Sequence, residues 1–374
     1  MACSYHEALQ IIQTSLLGVT SSQSLPLFDA LNRISSGAVY APFELPKSSI
    51  SLRDGYAITL QHTDTLPLCS AHVVSTGDAL EAHIDAVISF EEALICDEML
   101  HLPLHVTKGM HIKKQGEDIA LNECLVHPFE RLSAYKITAL CALGVTHVDV
   151  LNPPKIAILS IGNALMSLGE PLLDASFYNS NAISLSARCI ELGAHVVAIE
   201  TVREESGAIF AHLASLHSMA DLIITTGGLS KGDVISTLLE EKRLNPLFHE
   251  VAITPAKPTS LCMFENTPIL HLPGLPLGSM LGFELLGAPL LKALHHETSL
   301  LPRSYTQINT TPFTCKKNSV TAIPGFSDGK VFACAPHYEA GRLNILSQCN
   351  GYVRVEGKEE VNRGDEVSFI PFYM

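Results

Sequence analysis

A glycine-rich loop between an apolar strand and a helix is the clearest candidate ligand-binding segment of the sequence. Residues 225–233 read TTGGLSKGD, with glycines at Gly227, Gly228 and Gly232. Glycines let a backbone approach a ligand closely, and the N–H groups at a helix start favour phosphate. A bare glycine pair after a strand can also serve only as a tight turn. Ser230 and Asp233 in the same loop favour the ligand-binding interpretation.

Two aspartates in turns and one lysine are further candidates. Asp54 precedes Gly55, and Asp118 ends the segment GED. Each can be an ordinary solvated turn, or its carboxylate can hold Mg²⁺ or orient water, because hard oxygen ligands suit that ion. Lys257 lies between two prolines in the sequence PAKP, where it can contact an anion or remain solvated.

The cysteines and histidines do not predict a metal site. None of the 10 cysteines forms a C-x-x-C pair, and the 17 histidines include no HxxxH pair on one helical face. Several cysteines stand inside apolar runs, where a free thiol behaves as a small hydrophobe. We therefore expect reduced, structural thiols and a cytoplasmic protein.

The overall composition limits the partners. The chain has 374 residues, a formal net charge of −14 and only 17% charged residues, which predicts two to four folded domains. This charge argues against nucleic acid or an anionic membrane surface as partner, but allows a small anionic substrate with a local pocket of its own. Residues 272–294 are apolar and long enough to span a bilayer, but prolines, glycines and Glu284 interrupt them. We expect a tight loop followed by a buried helix, and no membrane.

The elements that must position these candidates are clearest after Asn152-Pro153-Pro154, which we take as a domain boundary. Unalternating apolar runs at 155–161, 195–202, 221–226 and 268–272 alternate with helical patterns at 179–192, 206–219, 233–242 and 277–294. This predicts an α/β domain with a parallel sheet and helices on both faces. Ligands bind such sheets at the carboxyl ends of the strands, where Pro273 and Gly274 also lie.

The complete prediction is an α/β multidomain protein with four parts. Residues 1–50 with 121–152 form a helical and extended domain for dimerisation, and residues 51–120 form a small β-rich inserted domain. Residues 153–300 form the α/β domain. Residues 301–374, with turns at Asp328-Gly329 and Asn350-Gly351, form a C-terminal β-barrel-like domain.

Short motifs in this order resemble the molybdopterin molybdenumtransferase family, which includes the E domain of gephyrin. The resemblance runs from the first helix to the C-terminal β unit. The matching segments are residues 46–57, which contain Asp54-Gly55-Tyr56; Thr76-Gly77-Asp78 with Asp85-Ala86-Val87; Gly116-Glu117-Asp118; the GGLSKG stretch 227–232; Pro255-Ala256-Lys257-Pro258; and Leu272-Pro273-Gly274-Leu275-Pro276.

The resemblance implies a homodimer whose active site is shared between the α/β domain and the partner's β-rich domain. The implied reaction joins molybdate to the dithiolene of adenylated molybdopterin, with Mg²⁺-dependent loss of AMP. Other proteins of molybdenum cofactor biosynthesis are implied as partners. The implied catalytic residues are Asp54, Asp118, Asp233 and Lys257; the implied substrate-binding residues are Thr76, Gly227, Gly228, Ser230, Gly232, Pro273 and Gly274; the implied metal ligands are Glu204 and Asp233.

The chain departs from the family pattern at several site positions. The family's carboxylates are replaced by Asn163, Ala164 and Ile235, two of its lysines by Glu250 and Thr254, and an asparagine by Leu275, while its serine near Gly278 is also replaced. Losing one oxyanion-stabilising group typically costs about 100–1000-fold in rate. Two hypotheses therefore stand: a divergent transferase, or a non-catalytic molybdopterin-binding or scaffold relative that keeps the fold and the dimer.

Overall fold

The computed structural model describes residues 2–16, 18–61, 64–339 and 341–373. The chain divides into two compact units, Met1–Ser21 with Leu151–Met374 and Ser22–Val150. The N-terminal helix thus belongs to the unit that holds the α/β sheet rather than to residues 22–50. The division into four domains stays a prediction. The helices, in chain order, are α1 (Tyr5–Ser15), α2 (Ala134–Ala142), α3 (Ser180–Glu191), α4 (Ser206–Leu216), α5 (Val234–Glu240) and α6 (Pro276–Leu294).

A six-stranded sheet forms the centre of the first unit. Its strands are β1 (Lys155–Ile161), β2 (His195–Val202), β3 (Leu222–Thr226), β4 (Asn245–His249), β5 (Ser260–Phe264) and β6 (Thr267–Leu272). They lie in the order β2-β1-β3-β6-β5-β4. The first four run parallel to one another. Strand β5 runs antiparallel to both of its neighbours, β6 and β4.

The predicted α/β fold is confirmed, with one refinement: the sheet is mixed, not purely parallel. The sequence patterns missed β4 and β5. The hairpin from β5 to β6 turns at Glu265 with a positive φ of 52°, a conformation that the sequence there does not signal by a glycine.

Both faces of this sheet are covered, as the unalternating apolar strands predicted. Ile156 and Ile158 of β1 pack in one core with residues of α1, α3 and α6. Ala157 and Leu159 pack in a second core with residues of α4 and α5. Successive strand residues point to opposite faces, so a strand buried on both sides is apolar throughout.

The helix that could span a membrane by length and composition is α6, and 78% of its most apolar window is buried inside the fold. A π-helical turn, Phe283–Gly287, interrupts it. The helix therefore serves as the predicted core element.

The C-terminal strands close into a barrel, as predicted. Strands β7 (Tyr305–Asn309), β8 (Val320–Ser327), β9 (Val331–Cys334), β10 (Gly351–Val355) and β11 (Glu366–Pro371) form the ring β8-β9-β7-β11-β10, which closes through a β8–β10 pairing. The strand Ile253–Thr254 adds in parallel to β8. Phe332, Val353 and Phe369 are buried inside it.

The second unit is built mainly from short strands, together with α2. One three-stranded sheet joins Gly55–Ile58 to His72–Val74 and Ala86–Ser89, and another joins Thr65–Pro67, Met99–His101 and Leu94–Cys96. Two-residue strands at Ile50–Ser51 and Ile112–Lys113 pair antiparallel. Ser133 caps the start of α2, and Gly144, with a φ of 72°, follows its end.

Candidate functional site

The carboxyl ends of β1, β3 and β6 meet at Gly227. Its φ is 97°, and a Cβ atom there would lie 2.2 Å from the carbonyl oxygen of Ile161 at the end of β1. Its N–H donates to the carbonyl of Leu272 at the end of β6, over 3.1 Å. A Cβ on Gly274 would lie 3.3 Å from the Cα of Gly227. Glycine at position 227 is therefore required by close backbone packing of the three strand ends.

The loop that follows holds its shape by a reciprocal pair of hydrogen bonds. The backbone N–H of Ser230 donates to Asp233 Oδ2 over 2.8 Å, and the N–H of Asp233 donates back to the carbonyl of Ser230 over 2.8 Å. Within the described residues, the N–H groups of Gly228, Leu229 and Gly232 have no acceptor. Unpaired N–H groups in a loop with positive φ angles form an anion-binding concavity.

Two asparagines at the start of α3 connect four strand ends, and sequence reasoning did not identify either as a site residue. Asn179 accepts from Ser160 Oγ (2.9 Å) and donates to Thr201 Oγ1 (3.0 Å). Asn181 Nδ2 donates to Thr226 Oγ1 (3.1 Å) and to the carbonyl of Gly274 (2.7 Å). The only sequence signal for these two residues is the Asn-x-Asn spacing at the start of the helix. From it, we predicted only that Asn179 starts the helix.

Glu204 and Asn163 lie together at the ends of β2 and β1. Asn163 Oδ1 accepts from the backbone N–H of Glu204 over 3.2 Å, and the Glu204 side chain is exposed. Asn163 thus fills a structural role at a position where the resemblance leads us to expect a carboxylate. Ile235, where the resemblance leads us to expect another carboxylate, is a fully buried residue of α5.

The donor set around these residues does not fit a magnesium ion held by protein side chains alone. Among the residues described, no three of His, Cys, Asp and Glu come together in a way that could hold a metal. One Asp233 oxygen already accepts a hydrogen bond from the loop. Mg²⁺ commonly uses one or two carboxylates together with substrate phosphates and waters.

Lys257 is paired within the chain. Its Nζ lies 3.1 Å from Glu250 Oε2, and both side chains are partly exposed. Thr254, at the second position where the resemblance leads us to expect a lysine, has its Oγ1 2.9 Å from Ser319 Oγ. The Lys257 loop therefore presents one cation, and that cation already has a carboxylate partner.

The remaining candidates belong to the second unit, which brings Asp54 and Thr76 together. Asp54 Oδ1 accepts from the Thr76 N–H over 2.6 Å, next to the backbone hydrogen bond from Gly77 to Ser51. Asp118 Oδ1 instead lies 2.6 Å from Lys113 Nζ, with its side chain 52% exposed. Asp54 therefore helps to shape the turn at Thr76, whereas Asp118 forms a surface ion pair.

A buried polar row crosses the sheet beneath the strand ends. His271 of β6 is fully buried, with Nδ1 2.6 Å from Thr225 Oγ1 of β3 and Nε2 3.1 Å from Cys262 Sγ of β5. Burial lowers the pKa of His271 to about 3 and raises the pKa of Cys262 to about 12. The row is therefore uncharged and hydrogen-bonded at neutral pH, and no sequence motif marked it.

Comparison with known proteins agrees with this architecture. Residues 3–144 match the model of the MoeA N-terminal region (domain I and II), and residues 157–293 match a probable molybdopterin binding domain. A solved molybdopterin biosynthesis MoeA protein from Pyrococcus horikosii superposes with a TM-score of 0.81 at 24% identity, covering 100% of both chains.

Curated relatives extend over most of the sequence. Molybdopterin molybdenumtransferase 2 of Mycobacterium tuberculosis is 28% identical over 384 aligned positions, covering 92% of this chain and 93% of that protein. Molybdopterin molybdenumtransferase of Haemophilus influenzae is 26% identical over 296 positions, covering 74% and 73%. The order of motifs and the order of strands thus lead to the same group of proteins.

Proposed function

This chain belongs to the molybdopterin molybdenumtransferase family, and from that membership we propose that it joins molybdate to the dithiolene of adenylated molybdopterin and releases AMP. A role in molybdenum cofactor biosynthesis follows from the matched regions and the named relatives. These names favour the transferase over the non-catalytic alternative.

One observation carries the proposal: the loop after β3 presents N–H groups that have no acceptor among the described residues, at the point where three strand ends meet. Both substrates are anions, and such groups stabilise negative charge without needing a net positive protein. Backbone N–H groups therefore allow a chain with a net charge of −14 to bind an anionic substrate. We propose Gly227, Gly228, Ser230, Gly232, Pro273 and Gly274 as the substrate-binding residues of this unit.

Lys257 is proposed to contact the anion once Glu250 is displaced from it, and Asp233 to hold the loop and offer its second oxygen to the reaction. Asp54, Asp118 and Thr76 are proposed as the contribution of the second unit, supplied across a homodimer as the family resemblance implies. Magnesium, where used, is proposed to be carried mainly by the substrate phosphates, with Glu204 or Asp233 contributing one carboxylate. A cytoplasmic location belongs to the same proposal.

The test is AMP release from purified protein supplied with adenylated molybdopterin, molybdate and magnesium. We expect molybdate-dependent AMP release that is lost in Asp54→Ala and kept in Glu91→Ala, which removes an exposed carboxylate of the same unit that the site does not use. Tight binding of the adenylated substrate without AMP release would contradict the transferase and support the non-catalytic relative. Sedimentation equilibrium of the same sample tests the homodimer.

A further inference from the structure

Within the first unit, a cavity of about 230 Å³ lies between α3, α6 and the residues that follow β11. None of the proposed substrate-binding, catalytic or metal-binding residues lines it. On α3 its wall includes Ala187, Arg188 and Glu191. Glu191 lies four residues after Ala187 and three after Arg188, so it neighbours both on the helix surface. On the other side it is lined by Met280 of α6 and by Phe372.

The polar wall is a buried ion pair built on the π-helical turn of α6. Arg188 Nε donates to Glu284 Oε1 over 2.7 Å and Nη2 donates to Oε2 over 3.2 Å, with the two side chains only 14% and 7% exposed. Arg188 Nη1 donates to Glu191 Oε2 over 3.0 Å. Single π-turns inside α-helices occur frequently at functional sites.

This wall offers both hydrogen-bond donors and an acceptor. A guanidinium has five N–H groups, and those three bonds leave one N–H on each Nη without an acceptor among the described residues. Glu191 is 45% exposed on its side chain, so its carboxylate faces solvent at the cavity. The cavity therefore places the N–H donors of Arg188 next to the carboxylate acceptor of Glu191, beside the apolar side chains of Met280 and Phe372.

The charged groups that line the cavity and the volume of the cavity limit the chemical class of ligand that it can bind. One guanidinium and two carboxylates disfavour an anion, whereas the spare N–H groups of Arg188 disfavour a cation beside them. An apolar cavity of about 150 Å³ already holds a benzene ring, so this one accommodates a single substituted ring. Phe372 and Met280 supply the apolar contact for its faces.

We propose that this cavity is a second ligand site, for a small uncharged heteroaromatic ring that donates an amino group to Glu191 and accepts at a carbonyl oxygen from Arg188. Such a ring hydrogen-bonds to the Glu191 carboxylate and to the Arg188 guanidinium at the same time. The proposal does not depend on the transferase activity, because it is tested by binding alone.

The probe is 2-aminopyrimidin-4-one, titrated into the full-length protein by calorimetry. We expect saturable one-to-one binding, weaker by about tenfold or more in Glu191→Ala, which removes the acceptor. Ala187→Trp, which fills the cavity from an exposed helix position, should abolish it. Glu241→Ala, an exposed carboxylate at the end of α5, should bind like the unmodified protein, and thermal melts check that each variant is folded.

Three results would overturn the proposal. The first is no saturable binding, or binding that persists in Ala187→Trp. The second is equal affinity for pyrimidin-4-one, which lacks the amino group and so removes the contact with Glu191. The third is tighter binding of benzoate or benzylammonium, which would assign the cavity to charged ligands.

Discussion

The ammonium group of Lys257 lies 3.1 Å from the carboxylate of Glu250, a residue at a position where the family resemblance leads us to expect a lysine. The two side chains belong to one loop, which is held by a hydrogen bond of 2.9 Å from the N–H of Val251 to the carbonyl of Lys257. Any anion that binds Lys257 must therefore compete with a carboxylate of the same chain.

Glu250→Gln should lower the KM for molybdate several-fold, because it removes that competition. The pair is partly exposed, so its loss should change the free energy of unfolding by less than about 1 kcal/mol. Steady-state kinetics and urea unfolding measure the two effects. Glu265→Gln is the matched control, since Glu265 also has a positive φ but no ion pair to a described residue. An unchanged KM in Glu250→Gln would remove Lys257 from the proposed site.

Gly227→Ala should destabilise the protein by roughly 3 kcal/mol or more, because the new Cβ meets backbone at the end of β1 and the backbone conformation is unfavourable for alanine. Gly232→Ala has a similar φ of 89° but open space around the position. It should cost only about 1 kcal/mol. Chemical denaturation of the two variants compares the costs directly. Similar costs would mean that the strand ends do not pack as closely as described.

The buried His271 should make stability depend on pH. Burial holds its pKa at about 3, against an ordinary value of 6.5, so between these values the unfolded chain binds a proton that the folded chain does not. Its contribution is complete above about pH 6.5 and falls with decreasing pH, by up to about 1.4 kcal/mol per unit.

His271→Asn should remove that slope. Urea unfolding between pH 4.5 and 7.5 should show the stability advantage of the unmodified protein over the variant shrinking as the pH falls. His195→Asn, at an exposed position on β2, should leave the slope unchanged. Parallel curves for His271→Asn and the unmodified protein would contradict a neutral buried imidazole.

Asp118→Ala should affect activity more than stability. It loses an ion pair with Lys113 that is half exposed, which is worth about 0.2–1 kcal/mol, so the melting temperature should change by only a few degrees. AMP release should fall strongly, because Asp118 is one of the residues proposed to act in the reaction. A large drop in melting temperature with activity retained would make Asp118 a structural turn residue.

The α/β fold was predictable because its signals are local. The unalternating strands predicted a sheet buried on both faces, and Asn179 and Gly193 marked the limits of α3, where Asn179 caps the helix and Gly193 has a φ of 87°. The glycine loop after β3 was predicted for the same reason.

The polar pairings were not predictable, since they join residues far apart in sequence. Asn181 Nδ2 donates to the carbonyl of Gly274, 93 residues away, and His271 hydrogen-bonds Thr225, 46 residues away. Strands β4 and β5 were missed because neither shows the alternating pattern of a half-buried strand. Strand β5 is a short apolar run, and β4 contains Pro246. The ion pair between Lys257 and Glu250 depends on the backbone conformation of the loop at Glu250. The residue types of that loop do not predict this conformation.

Helix α1 packs through Tyr5, Ala8 and Ile12 into a core that also contains Leu290 and Leu294 of α6. During translation the first helix leaves the ribosome long before its packing partners exist. Translation proceeds at about 5–20 residues per second, so the apolar face of α1 stays without its α6 partner for roughly 15–60 seconds after α1 is synthesised. The second unit is made entirely within that interval, so the nascent chain must keep its N-terminus from aggregating while the inserted unit folds.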